Sequence, residues 1–242
     1  MSTPQTKLKA IPKGKTDHWS LDWKQIPIKN NDDDPLICIE NLHPHILSRP
    51  YYFDQNIKGS LTKCYMRQTV FEKCIQAVTL LRSIYSNYAL VIYDAWRPTC
   101  VQHALFDQFK EETKKNNPTL SDAECIKKTA TFVSIPNTDP RCPSPHLTGA
   151  SVDLTIINQN KTPLDMGTVF DDFTEKAHTD YYELNASDQY QDIRHNRRLL
   201  YHIMISVGFS NYPYEWWHFD YGNQFWATMK KKSASLYGPI TP

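Results

Sequence analysis

The 242-residue sequence lacks the features of several large classes of protein. No apolar run approaches the roughly 20 residues of a membrane-spanning helix, so we expect no membrane span. The 27 basic and 26 acidic residues leave a net charge of +1, and this balance gives no global field that attracts nucleic acid. A globular protein is predicted, with neither a membrane nor nucleic acid as its partner.

The spacing of the cysteines and the absence of common catalytic motifs exclude further classes of protein. Six cysteines are present and none forms a CxxC pair, which argues against a thiolate zinc site and a redox dithiol. We expect most of them to be reduced and buried, although one disulfide is compatible with the sequence. The chain also contains no GxSxG, Walker A, GxGxxG or HExxH motif, so any catalytic site must be built differently.

The first 35 residues differ in composition from the rest of the chain. They are rich in Pro, Lys, Asn and Asp, which predicts an extended arm over residues 1–35. The first lysines are not followed by an apolar segment, so a cytoplasmic location is expected, or a periplasmic one if the chain is trimmed. No repeat or later linker divides residues 36–242, which are predicted to form one domain.

Helix and strand patterns follow one another irregularly in that domain. Apolar residues recur at helical spacing in four segments: 67–87, the segment after Pro98, the segment opened by Ser121 and Glu124 in capping-box spacing, and 192–209. Strand patterns occupy 89–93, 151–156 and 214–221. Because these elements do not form regular βα units, the predicted class is α+β.

The stretch SPHLTGASVDLT at 144–155 places His146 seven residues before Asp153, across a glycine. Strand alternation puts Asp153 on the polar face of 151–156, and a solvated face of a half-buried strand is the simplest interpretation. Gly149 permits a tight turn that would fold His146 back beside Asp153. The alternative interpretation is part of a metal site.

The stretch YEWWHFDYG has Glu215 three residues before His218. An odd spacing on a strand would send the two side chains to opposite faces, so we expect Glu215 in a turn or bulge that leads into the strand. A neutral imidazole is a good zinc ligand, and a nearby carboxylate can take a proton from zinc-bound water. A histidine packed among aromatic residues is the competing interpretation.

The stretch YDAWRP ends the strand pattern at 89–93 and contains Arg97, where the chain leaves a sheet for a helix. Such an arginine can stabilise an oxyanion through charge-assisted hydrogen bonds, or it can form a structural pair with Asp94. Taken together, His146, Asp153 and His218 offer three ligands and leave a fourth position for water, as catalytic zinc sites do.

These stretches resemble known zinc peptidases. SPHLTGASVDLT is similar to the SxHxxGxxxD motif of the zinc D,D-peptidases, and the EWWH of YEWWHFDYG is similar to their ExxH motif. The D-alanyl-D-alanine dipeptidases of the VanX type are indicated by YDAWRP, by DMGTVFDDF at 165–173 and by NRRLLYHIMISVGFSNYPYEWWH at 196–218. The resemblance runs from about residue 50 to about residue 226, and it implies a hedgehog/D,D-peptidase-like fold in which a central, mainly antiparallel sheet is flanked by helices.

Carried over by position, the resemblance assigns a role to each residue of the site. It implies that one Zn²⁺ is bound by His146, Asp153 and His218. Glu215 would be the general base, and Arg97 would stabilise the tetrahedral oxyanion. Further positions match substrate-binding residues of the family: Asp171 for the free ammonium group, Ser144 close to the substrate, and Tyr51 in the loosely aligned segment RPYYFDQNIKG.

The implied function is hydrolysis of the small dipeptide D-alanyl-D-alanine to two D-alanines, in peptidoglycan precursor metabolism or cell-wall turnover. One alternative is a D,D-carboxypeptidase or cell-wall endopeptidase that acts on longer peptides. Another is a non-catalytic, zinc-stabilised binding domain. Glu215 and Arg97 argue against it, because a purely structural site needs neither residue. The sequence departs from the family pattern in its long start, in the segment 111–143 and at Pro145. It assigns no role to the arm or to 111–143, and it indicates no oligomeric state.

Overall fold

A computed structural model describes residues 8–13, 21–29, 33–130, 132–137 and 139–241. The strands among them are β1 (Leu36–Cys38), β2 (Ile46–Ser48), β3 (Tyr65–Arg67), β4 (Ala89–Asp94), β5 (Ser151–Ile157), β6 (Ser210–Asn211) and β7 (His218–Asp220). The helices are α1 (Tyr51–Asp54), α2 (Gln68–Ile84), α3 (Thr99–Asn116), α4 (Asp122–Thr129), α5 (Tyr181–Leu184), α6 (Gln191–Ser206) and α7 (Gln224–Met229).

The centre of the fold is a five-stranded sheet with the strand order β2-β4-β5-β7-β6. Only the β2–β4 pair is parallel among these strands, and the other three pairs are antiparallel. A separate antiparallel pair joins β1 and β3. The predicted α+β class and the mainly antiparallel central sheet are therefore confirmed.

The long helices α2 and α6 cover the sheet because their apolar residues recur on one side. In α2 the buried stripe includes Val70, Phe71 and Val78, and the stripes of both helices join Val152 and Leu154 of β5 in one hydrophobic core. Each large apolar side chain removed from water contributes about 1.5–3 kcal/mol. The opposite face of the sheet, which these helices do not cover, is left for polar side chains.

The predicted helix starts agree with the structure. Ser121 and Glu124 form the reciprocal capping box that opens α4: the Ser121 hydroxyl accepts from the Glu124 amide at 3.3 Å, and the Ser121 amide donates to the Glu124 carboxylate at 2.8 Å. The helix predicted after Pro98 is α3, and the pattern at 192–209 becomes α6, which ends at Ser206, two residues before Gly208.

One of the two interpretations of β5 is excluded, and one strand prediction needs correction. The polar face of β5 is not solvated, since Ser151, Asp153 and Thr155 are at most 2% exposed. A network of other polar groups, described below, covers that face in place of water. The strand predicted at 214–221 is limited to β7, because turns occupy the preceding residues and the Glu215 amide donates to the Tyr212 carbonyl at 3.0 Å.

The predicted N-terminal arm is described only in part, since residues 1–7, 14–20 and 30–32 lie outside the described residues. The Ile11 amide donates to the Glu183 carboxylate at 3.1 Å, and Ile28 forms a parallel bridge with Ser235. A short 3₁₀ helix lies at Leu21–Gln25. No described helix is both long and apolar enough to cross a membrane.

All six cysteines are free, as expected, but they are less buried than predicted. Cys64, Cys74 and Cys125 are buried, whereas Cys100 is exposed. Burial raises the pKa of the Cys64 and Cys74 thiols to about 12, which leaves both uncharged at neutral pH.

Candidate metal centre

His146 lies in a 3₁₀ helix, Pro145–Thr148, directly before β5. Gly149 ends this helix in the left-handed conformation with φ of 68°, and its amide donates to the His146 carbonyl at 3.1 Å. A Cβ atom at Gly149 would come within 2.7 Å of Leu36 Cδ1, so both the backbone conformation and the space favour glycine. The predicted tight turn is present, and it returns the histidine toward Asp153.

Asp153 and His218 lie directly opposite each other on the antiparallel strands β5 and β7. Residues in this register present their side chains on the same face of the sheet. His218 Nδ1 is 2.9 Å from Asp153 Oδ1, His146 Nε2 is 3.4 Å from Asp153 Oδ2, and the two nitrogens are 3.2 Å apart. The structure therefore brings together the three residues that the sequence indicated as metal ligands, and all three are buried. We call them the His–Asp–His cluster.

The outer nitrogens of both histidines are held by acceptors. His146 Nδ1 lies 2.6 Å from the Ala95 carbonyl oxygen, and His218 Nε2 lies 3.2 Å from both carboxylate oxygens of Asp220. A carbonyl can only accept, so we assign the proton of neutral His146 to Nδ1, and Asp220 favours the proton of His218 on Nε2. The remaining lone pairs, on His146 Nε2 and His218 Nδ1, then point into the cluster.

This arrangement of donor atoms fits a divalent cation. Two nitrogen lone pairs and a carboxylate converge there, and such a group repels itself unless a positive charge lies between its members. Burial opposes the charged form of His218, yet Asp220 and Asp153 raise its pKa well above the usual value, so the position attracts positive charge. Two imidazoles and one carboxylate are ligands typical of catalytic zinc.

Glu215 lies beside the cluster because the chain turns just before β7. Its Oε2 atom is 3.8 Å from His218 Nδ1, and the residue is 8% exposed. Burial raises the pKa of Glu215 to about 8, and the nearby carboxylates of Asp153 and Asp171 act in the same direction. The predicted turn position is confirmed. Because Glu215 lies in a turn and not in the strand, its odd spacing from His218 does not send the two side chains to opposite faces of the sheet.

Arg97 follows β4 and is held on several sides. Its Nε donates to Asp94 Oδ2 at 2.9 Å, and its Nη1 donates to the Gln102 side-chain oxygen at 2.8 Å. The Nη2 group is 3.2 Å from the Tyr52 hydroxyl and 3.5 Å from Asp153 Oδ2. The structural pair with Asp94 is thus present, and the same guanidinium also contacts the His–Asp–His cluster.

A cavity of about 320 Å³ opens over these groups. Ser144 and Asp171 line it, together with Arg97, Glu215 and the His–Asp–His cluster. Burial raises the pKa of Asp171 to about 8, with Asp153 adding to the shift, and the Tyr52 hydroxyl donates to Asp171 Oδ1 at 3.4 Å. All the site residues indicated by the sequence, apart from Tyr51, therefore share one cavity.

Tyr51 is not among the residues that line the cavity, whereas its neighbour Tyr52 is. The ring of Tyr51 packs edge-to-face on Phe170, with the centroids 4.7 Å apart. The hydroxyl of Tyr52 contacts both Arg97 and Asp171. The assignment of Tyr51 to substrate contact stays a prediction from the family resemblance, and nothing in the adjacent pair itself shows which ring turns inward.

Four further residues of the site were missed. Asp220 is two residues after His218 and therefore on the same face of β7, so strand alternation could have identified it as the partner of a metal-binding histidine. Gln102, five residues after Arg97, links that guanidinium to the Ser134 carbonyl at 2.7 Å. No sequence pattern marks Trp23 and Lys24, which also line the cavity.

The family model and two named relatives agree with the motifs. The peptidase M15 family model, described as D-ala-D-ala dipeptidase, matches residues 42–234. A D-alanyl-D-alanine dipeptidase of Synechocystis sp. is 33% identical over 175 residues, which are 67% of this chain and 71% of the relative. The enzyme of that name from Escherichia coli is 28% identical over 193 residues, 78% of this chain and 86% of its own. A solved zinc complex of the vancomycin-resistance D,D-pentapeptidase VanY covers 87% of this chain and 92% of its own, with 15% identity and a TM-score of 0.49.

Proposed function

The chain belongs to the peptidase M15 family of D-alanyl-D-alanine dipeptidases, and on this premise we propose that it hydrolyses D-alanyl-D-alanine to two D-alanines. The observation that carries the proposal is the position of Glu215 and Arg97. Both contact the His–Asp–His cluster within one cavity, with Glu215 Oε2 3.8 Å from His218 Nδ1 and Arg97 Nη2 3.5 Å from Asp153 Oδ2. A purely structural metal site needs neither group.

The cofactor of the proposed reaction is one Zn²⁺, which His146, Asp153 and His218 would hold. When bound, zinc polarises a carbonyl group and lowers the pKa of a bound water toward about 7. The hydrogen bond of His146 Nδ1 to Ala95 and that of His218 Nε2 to Asp220 keep the inner nitrogens available as ligands.

Glu215 is the proposed general base. Its carboxylate takes a proton from the attacking water and then donates that proton to the nitrogen of the leaving D-alanine. A base works best when its pKa lies near the working pH, and burial raises the pKa of this carboxyl to about 8, above its usual value. A bound cation lowers that pKa again, which favours the ionised base.

Arg97 is the proposed stabiliser of the oxyanion that forms at the peptide carbonyl. Its hydrogen bonds to Asp94 and Gln102 fix the guanidinium before the substrate arrives, so it need not reorganise during the reaction. Burial alone would lower its pKa, but Tyr52, Asp94 and Asp153 raise it above the usual value, and the group stays charged.

Asp171 is the proposed partner of the free ammonium group of the dipeptide. Its carboxyl lines the cavity beside Tyr52, and an ammonium group there lowers the raised pKa of Asp171 and keeps it ionised. An acylated amine offers no charge to this position, so a free amino terminus would be required. Ser144 and Tyr52 line the cavity and are the proposed neighbours of the bound dipeptide.

The test compares Glu215→Gln with the unchanged enzyme on free and N-acetylated D-alanyl-D-alanine, with metal analysis of each protein. We expect the unchanged enzyme to hydrolyse only the free dipeptide. Glu215→Gln should keep its zinc but lose turnover by about 10²–10⁴-fold, since general acid–base catalysis contributes about that much.

Three results would change the assignment. Preferential hydrolysis of the acylated peptide would favour the D,D-carboxypeptidase or endopeptidase alternative. Zinc binding without hydrolysis of any peptide would favour a non-catalytic binding domain. Near-normal turnover of Glu215→Gln would show that another group acts as the base.

A further inference from the structure

Residues 21–29, which we call the rim segment, are held against the domain although they precede the part that the family model matches. The buried side chain of Gln224 binds them: its Nε2 group is 2.7 Å from the Ile26 carbonyl and 3.2 Å from the Lys24 carbonyl. The Lys29 amide also donates to Ser235 at 3.1 Å. The backbone of the rim segment thus has fixed partners in and near α7.

This docking brings Trp23 and Lys24 into the wall of the cavity. Trp23 packs edge-to-face on Phe225 with the ring centroids 6.2 Å apart. Phe225 contacts Tyr212 at 5.8 Å, and Tyr212 contacts His218 at 5.7 Å. A continuous row of rings therefore leads from the rim segment to the His–Asp–His cluster.

Among the described residues that line the cavity, one cation has no ion-pair partner. Apart from the histidines, the basic residues that line the cavity are Lys24 and Arg97. Arg97 is already paired with Asp94 and Gln102. Lys24 Nζ lies 5.4 Å from the centroid of the adjacent Trp23 ring, and it forms no ion pair with a residue that the structure describes.

Asp171 and Lys24 are linked to the cluster through different contacts. Asp171 connects to it through Tyr52 and Arg97, whereas Lys24 connects to it through the rings that end at His218. A free dipeptide carries an ammonium group at one end and a carboxylate at the other. With its ammonium group at Asp171 and its peptide bond at the cluster, the dipeptide still needs a cation in the cavity for its carboxylate, and Lys24 lines that cavity.

We propose that the Nζ group of Lys24 binds the C-terminal carboxylate of the dipeptide substrate, with Trp23 and Phe225 as the apolar wall beside it. This inference rests on the proposed function. It assigns the N-terminal segment a part in substrate recognition and makes a free C-terminal carboxylate, as well as a free amino group, a requirement for tight binding.

The experiment measures kcat/KM for D-alanyl-D-alanine and for its C-terminal amide with the unchanged enzyme, Lys24→Gln and Lys24→Arg. The matched control is Lys29→Gln, an exposed lysine of the same segment. For Lys24→Gln we expect a roughly 10–100-fold loss on the free dipeptide, mainly through KM, because a hydrogen bond to a charged group is removed. The amide should be unaffected, Lys24→Arg should recover most of the loss, and Lys29→Gln should behave like the unchanged enzyme.

A binding measurement separates this inference from the proposed function. Calorimetry with the dipeptide and its amide is done on Glu215→Gln, with and without Lys24→Gln. If Glu215→Gln binds the acid more tightly than the amide, and this preference depends on Lys24, the carboxylate site stands. If the unchanged enzyme then hydrolyses neither compound, the proposed reaction fails. If the unchanged enzyme hydrolyses the dipeptide while Lys24→Gln changes the binding of acid and amide equally, the carboxylate site is wrong and the reaction stands. Absence of both binding and hydrolysis overturns both.

Discussion

The His–Asp–His cluster and the rim segment are fixed in opposite ways. In the cluster, the ligand side chains themselves are held: the Asp220 carboxylate orients His218, and the backbone carbonyl of Ala95 orients His146. The rim segment is held through its backbone, and the side chain of Lys24 remains without an ion pair among the described residues. Groups that stabilise a transition state gain from being oriented in advance, whereas a group that binds one end of a substrate can take its partner on arrival. Changes in the cluster should therefore affect metal and turnover, and changes at the rim should affect binding.

The largest effect is expected for His218→Ala, which removes one of three ligands. The protein should lose both zinc and hydrolysis, because the remaining donors leave the ion weakly held. Metal content and kcat/KM measure this, with the exposed His103→Ala as the control. A variant that kept one zinc ion and its activity would exclude His218 as a ligand.

Asp171→Asn should give the next largest effect. It tests whether substrate binding can be weakened at the centre of the cavity while metal binding is kept. We expect a loss of roughly 10–100-fold in kcat/KM on the free dipeptide, since a charge-assisted contact is removed, with zinc content unchanged. The control is the neighbouring Asp172→Asn, whose side chain accepts from the Thr174 amide and is not among the residues that line the cavity. An unchanged kcat/KM would remove the proposed role of Asp171.

Asp220→Asn tests whether the mutual orientation of side chains matters to the metal. Asp220 is fully buried, accepts from Ser151 Oγ at 2.6 Å and lies 3.2 Å from His218 Nε2. We expect zinc affinity to fall about 10-fold or somewhat more, as for other partners of ligating histidines. Competition with a chelator measures the affinity, and an affinity equal to that of the unchanged protein would contradict the idea.

Gln224→Glu weakens the attachment of the rim segment, and it should have the smallest effect on turnover. It replaces an amide donor by a carboxylate that faces the carbonyls of Lys24, Ile26 and Arg141, so the rim segment should detach. We expect faster proteolysis within 21–29 and a KM raised about 10-fold, with unchanged zinc content. Loss of zinc would show that the rim and the cluster are not separable.

The sequence predicts the chemistry of the cluster better than its geometry. Residue type, spacing and family resemblance indicate His146, Asp153, His218 and Glu215, and the structure brings the first three together with Glu215 in the same cavity. The pairing of Asp153 with His218 depends on the register between β5 and the three-residue strand β7, which the turn before β7 sets. No periodicity in so short a strand could fix that register in advance.

The rest of the cavity could not be predicted for a different physical reason. Aromatic composition suggested a strand from residue 214, but backbone hydrogen bonds of a turn determine that region. For the polar side of β5, alternation alone left a solvated face and a metal site both open, because it cannot show what covers a face. Lys24 reaches the cavity through a contact with a residue 200 positions away, and local sequence carries no record of such a contact.

The amide group of Gln224 joins three carbonyls, of Lys24, Ile26 and Arg141, that come from two separate stretches of chain. Its consequence is that the N-terminal segment and the catalytic centre are joined at a defined point. If Lys24 binds the substrate as proposed, exchanging the segment ahead of the matched region, 42–234, would change the selectivity for the end of the substrate and leave the residues of the His–Asp–His cluster as they are. For protein engineering, the same joint offers a place to graft new N-terminal segments onto an unchanged catalytic centre.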